Sequence, residues 1–271
     1  MSPKIAHFIL TRFNVRLVFD MAERDAPKGL GLDSGWLERR FALYERYCLP
    51  SVAAQTVWDF RWLVFLDERT PSRYRDRMAA LAEEHPFLMP VYCREFTAGE
   101  VLRVIGAHQP QETALRITSR LDNDDMLHPR YVERMQDRAR AEAAAGRDLD
   151  TGFFLAFPLG CCLRGGDAYL QRYRNNPFSS YVSGPAAQRT VLDTDHRYIA
   201  DMAPVVYEWR PPMWCQVIHG ENVANALRGV YWPFERQFSR KAPRGNRHGL
   251  LWGIREFFTT AVLYVSRRQE G

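Results

Sequence analysis

From residue 5 to residue 146 the chain alternates short apolar runs with amphipathic ones, and few architectures accept that order. IAHFIL (5–10), FRWLVFL (60–66), MPVYC (89–93) and TALRITSRL (113–121) are brief and β-friendly, and they predict strands. WLERRFALYERYCLPSVAAQ (36–55) sets Leu37, Phe41, Tyr44 and Cys48 at helical spacing, with Pro50 expected to end or kink the helix. A second helix is expected at 72–84 with Pro71 near its first turn. A third should run from Pro129 through RYVERMQDRARAEAAA to Gly146. Alternation of this kind predicts an α/β fold with a mostly parallel central sheet flanked by helices.

After residue 150 the texture changes. FFLAFPLGCCLRGGDAYLQRY reads as two short strands around the turn RGGD, NNPFSSYV and MWCQVIH (213–219) as further strands, and GENVANALR as a short helix. The expectation is one compact domain whose C-terminal half is mixed. With 46% hydrophobic and 25% charged residues, the 271-residue chain can bury a full core without disulfides. Its five cysteines follow no regular spacing, which fits a reducing compartment. The N-terminus lacks the long apolar core of a signal peptide, and the protein is expected to be cytoplasmic. A net charge of +5 favours anionic partners without naming one.

Three carboxylates crowd the end of the fourth strand: Asp122, Asp124 and Asp125 in SRLDNDDM. Like charges this close repel unless a cation or a donor-rich ligand sits between them. In open α/β sheets ligands bind beyond the carboxyl ends of strands, and Asp67, closing the second strand, falls at another such end. Hard divalent cations take one or two carboxylates plus substrate phosphates. A solvated loop with Asp125 capping the next helix is the plain alternative.

The ordered pieces HFILTRFN, YCLPSVAAQT, WLVFLDERTP, SRLDNDD, NPFSSYV and WCQVIHGENV resemble GT-A glycosyltransferases, and more narrowly a bacterial rhamnosyltransferase family. They lie between residue 7 and about 229. The resemblance implies a GT-A-like domain with a nucleotide-binding half at 1–125, an acceptor-side half at 126–235 and a basic, amphipathic segment at 236–271. It implies transfer of a hexose, with rhamnose suggested by the family's name alone, from a nucleotide-diphosphate sugar to a glycan or lipid-linked acceptor. Asp122 and Asp124 would be the D-x-D pair, with Asp125 and His219 near the Mn²⁺ or Mg²⁺ ion. Thr11, Arg12, Asp67, Arg120 and Asp122 would line the donor pocket. The base that takes the acceptor proton is left open among Glu221, His219 and His196.

Trp209 and Trp214 are candidates for stacking on an acceptor sugar, with core packing as the alternative. The basic run Arg236, Arg240, Lys241, Arg244 and Arg247 is a solvated face or a hold on an anionic acceptor. GLLWGIREFFTTAVLYVSRR is interrupted by Arg255 and Glu256, so it should not span a membrane. It reads as a core-packed helix or as a peripheral contact with the inner membrane face. A metal-dependent phosphoesterase would want more grouped histidines, and a basic membrane- or nucleic-acid-binding protein would lack nucleotide-sugar binding. No specific nucleic-acid partner is expected.

Overall fold

The computed structural model describes residues 3–17, 30–165, 167–209, 211–220 and 230–232. Its strands are β1 (Ile5–Arg12), β2 (Arg61–Asp67), β3 (Leu88–Cys93), β4 (Leu115–Arg120), β5 (Met126–Leu127), β6 (Phe153–Ala156), β7 (Leu159–Arg164), β8 (Asp167–Arg172), β9 (Ser180–Ser183), β10 (Val205–Tyr207), β11 (Trp214–Ile218) and β12 (Val230–Trp232). The helices are α1 (Ser34–Leu43), α2 (Leu49–Ala53), α3 (Ser72–Glu84), α4 (Ala98–His108), α5 (Tyr131–Ala144) and α6 (Ile199–Met202).

Seven strands form the main sheet in the order β10-β6-β9-β4-β1-β2-β3. Every neighbouring pair is parallel except those made by β9, which runs antiparallel to both β4 and β6. The carboxyl ends of β1, β2, β4, β6 and β10 therefore share one edge. A smaller sheet, β12-β8-β7-β11-β5, stands beside it.

Both faces of the main sheet are covered, as parallel strands require. Ile5 and Ile9 of β1, with Trp62 and Val64 of β2, pack under α1, α3 and α5 through Phe41, Tyr44, Met78 and Met135. Phe8 and Leu10, with Leu63 and Phe65, pack against Val101, Val104 and Ile105 of α4 on the other face.

Two details refine the sequence reading. Pro50 does not stop its helix, which continues to Ala53. The preceding turn, Tyr44–Cys48, is widened to π geometry, with the Leu49 N–H donating to the Tyr44 carbonyl. Such a bulge relieves the clash a proline ring makes with the carbonyl four residues back. The second detail is the stretch from 153 to 172, which holds three strands. Phe153–Ala156 joins the main sheet, and only β7 and β8 form the hairpin. The hairpin turn carries Gly165 at φ +59°, a left-handed conformation suited to glycine.

Among the described residues no helix is long and apolar enough to cross a membrane. The expected helix in GENVANALR lies, apart from Gly220, outside the described residues, as do Glu221, the basic run from Arg236 to Arg247 and the C-terminal apolar segment.

Candidate functional site at the acidic turn

The turn after β4 is positioned by contacts that begin in α1 and α2. Ser51 Oγ accepts from the Leu127 N–H at 3.1 Å. Gln55 donates to the His128 carbonyl at 2.8 Å and accepts from the Val132 N–H at 2.9 Å. The polar residues of SVAAQT thus hold the backbone that leaves the turn. On the entry side, the buried Thr11 hydroxyl donates to the Leu121 carbonyl at 2.7 Å and accepts from the Trp62 indole at 2.8 Å. Thr11 is committed to fastening β1 to the end of β4.

The three aspartates have separate environments. Asp122 keeps 45% of its side chain exposed and pairs with Arg120 at 3.2 Å. Burial works to raise its pKa, but the guanidiniums of Arg120 and then Arg12 overcome that and hold it below the ordinary carboxylate value. Asp124 is 10% exposed, and its Oδ2 accepts from Arg40 Nη1 at 2.8 Å and lies 2.7 Å from His219 Nε2. Asp125 is buried and accepts from the Val217 N–H of β11 at 2.9 Å. Its carboxyl is pushed well up, first by burial and then by the charges of Asp124 and Asp122.

Arg40 was not visible as a site residue from sequence. It sits on the last turn of α1 and its ion pair spans 84 positions, so no local pattern marks it. It also donates to Asn123 Oδ1 at 3.2 Å and packs over the Trp36 ring at 5.1 Å. Asn14 is a second such residue. Its side chain donates to the Gly31 carbonyl at 2.8 Å and accepts from the Asp67 N–H at 3.1 Å, joining the loops after β1 and β2. A Cβ on Gly31 would meet the Asn14 carbonyl oxygen at 2.6 Å, so that approach requires glycine. Asn14 closes the piece HFILTRFN and Asp67 lies in WLVFLDERTP, but their pairing across 53 positions has no local signal.

Asp67 lies at the carboxyl end of β2, with both oxygens held by Arg69. Burial raises its pKa, and the hydrogen bonds from Arg69 more than offset this, leaving it lowered. Arg12 donates to the Val15 carbonyl at 3.3 Å and shares the field around Asp122 with Arg120 and Arg40. His196, from the loop before α6, faces the same region: its charge state is coupled electrostatically to Arg120 and Asp122. Its Nε2 meets the Tyr173 hydroxyl at 2.8 Å, and burial first, then Arg120, lowers its pKa to about 4. Trp214 is a core residue, fully buried, stacked on Phe178 and donating to the Phe157 carbonyl. Trp209 is exposed.

A divalent cation fits part of this set. Two ligands on an octahedral ion with bonds of ~2.1 Å stand roughly 3 Å apart, near the Asp124–His219 separation. Of the four expected ligands, those two come together. Asp122 and Asp125 are turned to Arg120 and Val217, and among the described residues no group of three metal-binding side chains converges. Substrate phosphates commonly complete such a shell.

A family model described as "Putative rhamnosyl transferase" matches residues 11–231. The chain belongs to that family. Among solved structures it is similar to TarS residues 1–349 from S. aureus in complex with UDP-GlcNAc, at 10% identity and TM-score 0.43, covering 82% of this chain and 62% of that one. The same TarS fragment without ligand gives 11% identity and TM-score 0.40, with 79% of this chain and 60% of that one covered. A protein from Desulfovibrio desulfuricans G20 described as a nucleotide-diphospho-sugar transferase gives 10% identity and TM-score 0.37, covering 97% and 98%. The chain thus spans about 60% of the length of the TarS fragment. No curated protein matches it.

Proposed function

We propose that the protein is a glycosyltransferase that binds a nucleotide-diphosphate sugar across the carboxyl edge of its main sheet. The observation that carries this reading is the Asp124–Arg40–His219 cluster, placed by two sheets at the end of β4 in a chain of this family. The nucleoside would lie toward Asp67 at the end of β2, the diphosphate beside Arg12, Arg120 and Arg40, and the transferred sugar over the acidic turn.

In the reaction the bond from the sugar's anomeric carbon to the diphosphate oxygen breaks and a bond to an acceptor oxygen forms. The diphosphate leaves with added negative charge, which guanidiniums fixed in a partly buried site stabilise without reorganising. Asp124 and His219 would hold a Mn²⁺ or Mg²⁺ ion, which when bound supplies a Lewis acid to the leaving phosphates. Arg40 keeps Asp124 oriented. The acceptor proton needs a base, a role His196 would take. At neutral pH it is unprotonated, and Tyr173 fixes its ring. Rhamnose as the transferred sugar follows the family's description, and the acceptor is a glycan or a lipid-linked glycan.

Thermal-shift binding against UDP, dTDP, GDP and CDP, each with and without Mn²⁺, tests the reading. The expected result is stabilisation by one nucleotide, enhanced by the metal and lost in Asp124→Ala. Asp122→Asn, at a half-exposed position, serves as the variant that should stay folded while binding more weakly. If no nucleotide raises the melting temperature of the wild-type protein, the transferase reading fails.

A further inference from the structure

Along the carboxyl edge, three strand spacings from β4, the surface changes character at the end of β10. By sheet geometry that is roughly 14 Å from the acidic turn. There the Arg174 guanidinium lies 4.4 Å from the Tyr207 ring and that of Arg172 lies 4.7 Å from the Trp209 ring. The two rings are 6.3 Å apart, and Trp209 is 38% exposed. The Tyr207 hydroxyl is fixed by donating to Asn175 Oδ1 at 2.7 Å.

Neither arginine meets a carboxylate among the described residues. Glu208, beside Tyr207, pairs instead with Arg134. The patch therefore offers aromatic surface together with positive charge that no carboxylate among the described residues pairs. It is also joined to His196. Asn175 donates to the Arg197 carbonyl at 3.5 Å, next to His196, and His196 binds Tyr173 within the same loop as Arg172 and Arg174.

We propose that Arg172, Arg174, Tyr207 and Trp209 form the acceptor subsite, and that the acceptor is an anionic saccharide bearing carboxylate or phosphate groups. The proposal rests on the transferase reading for the word acceptor, while the glycan site itself stands on the patch. Ring faces stack on the C–H faces of sugars, and the guanidinium fork matches carboxylate and phosphate oxygens two at a time. A neutral glycan would leave both arginines unused. A lipid surface would want a broad apolar patch, which two rings flanked by arginines do not supply.

The test measures binding by calorimetry to oligogalacturonate, to its neutral methyl ester and to a phosphorylated mannan, with polyglutamate and a single-stranded oligonucleotide as non-saccharide anions. Wild-type protein is compared with Trp209→Ala and with the double variant Arg172→Gln/Arg174→Gln. The expected result is binding of an anionic saccharide that weakens roughly tenfold in either variant, the scale of one lost aromatic or charge-assisted contact. The methyl ester should bind poorly, and nucleotide affinity should be unchanged in both variants. Preference for the mannan over the galacturonate would assign phosphate as the anion. Equal binding by wild type and variants, equal binding of charged and neutral glycans, or variant-sensitive binding of the oligonucleotide alone would each overturn the proposal. Loss of nucleotide binding by the wild type, with glycan binding intact, would sink the transferase reading and leave the glycan site standing.

Discussion

Asp125 and Asp124 are adjacent and chemically unlike. Burial and the neighbouring aspartates push the Asp125 carboxyl well up, and its Oδ1 accepts from the Val217 N–H. Asparagine reproduces that acceptor, so Asp125→Asn should leave stability within about 1 kcal/mol, whereas Asp125→Ala strands a buried N–H and should cost ~1–3 kcal/mol. Urea denaturation of the two variants separates these outcomes; equal losses would show that volume rather than the hydrogen bond matters. Asp124 behaves differently, because Arg40 is only 11% exposed and has no other carboxylate among the described residues. Removing the anion by Asp124→Asn should destabilise by ~3 kcal/mol, the usual scale for orphaning a buried charge. The double variant Asp124→Asn/Arg40→Met should recover part of that loss. The sequence marks the three aspartates as one acidic cluster. It could not show that one carboxylate serves a strand's backbone and another a distant arginine.

At the scale of elements, the hairpin strand β7 crosses directly over Trp214. A Cβ built on Gly160 would sit inside the indole ring. Gly160→Ala should therefore force β7 and β11 apart and cost at least ~1–3 kcal/mol, read as a fall in melting temperature, because overpacked cores relax poorly. An unchanged melting temperature would mean the indole can shift. The strands β1 to β4 were legible because their apolar runs are bounded by turn residues and interrupted by clear helices. The strand at Phe153–Ala156 was not, since its apolar pattern merges with that of β7 and only long-range pairing assigns the two to different sheets. Whether Pro50 ends its helix or only distorts it is open in the sequence for a related reason. A proline's effect depends on whether the turn before it can widen, and that is settled by packing.

For the whole molecule, two histidines are buried, His7 and His128, and His196 is half-buried, and all three have lowered pKa values. Burial lowers His7 to about 3 and His128 to about 4, and burial with the Arg120 charge lowers His196 to about 4. Their unfolded value is 6.5, so the unfolded chain takes up protons first as the pH falls. Stability from these groups is complete above pH 6.5 and is lost progressively down to about pH 4. Each contributes a slope approaching ~1.4 kcal/mol per pH unit in that window. Asp125 acts in the opposite sense, because its native state keeps a proton that the unfolded chain releases. Denaturation midpoints between pH 7.5 and 5 should fall steadily, and His7→Gln should flatten the trend. A flat profile in the wild type would show that these side chains are not held in neutral form.

The clasp between Asp125 and β11 has a consequence for how such a chain can change in length. His219 reaches Asp124 from the residue just beyond β11, and the register of that strand is pinned at Val217. One residue inserted or deleted between Asp125 and Leu127, or between Met213 and His219, would turn every following side chain to the opposite face. Most loops at the amino edge of the main sheet lie far from this cluster. Natural length variation among relatives should collect at that edge, and the short spans 121–128 and 213–219 should keep their count of residues even where their letters differ.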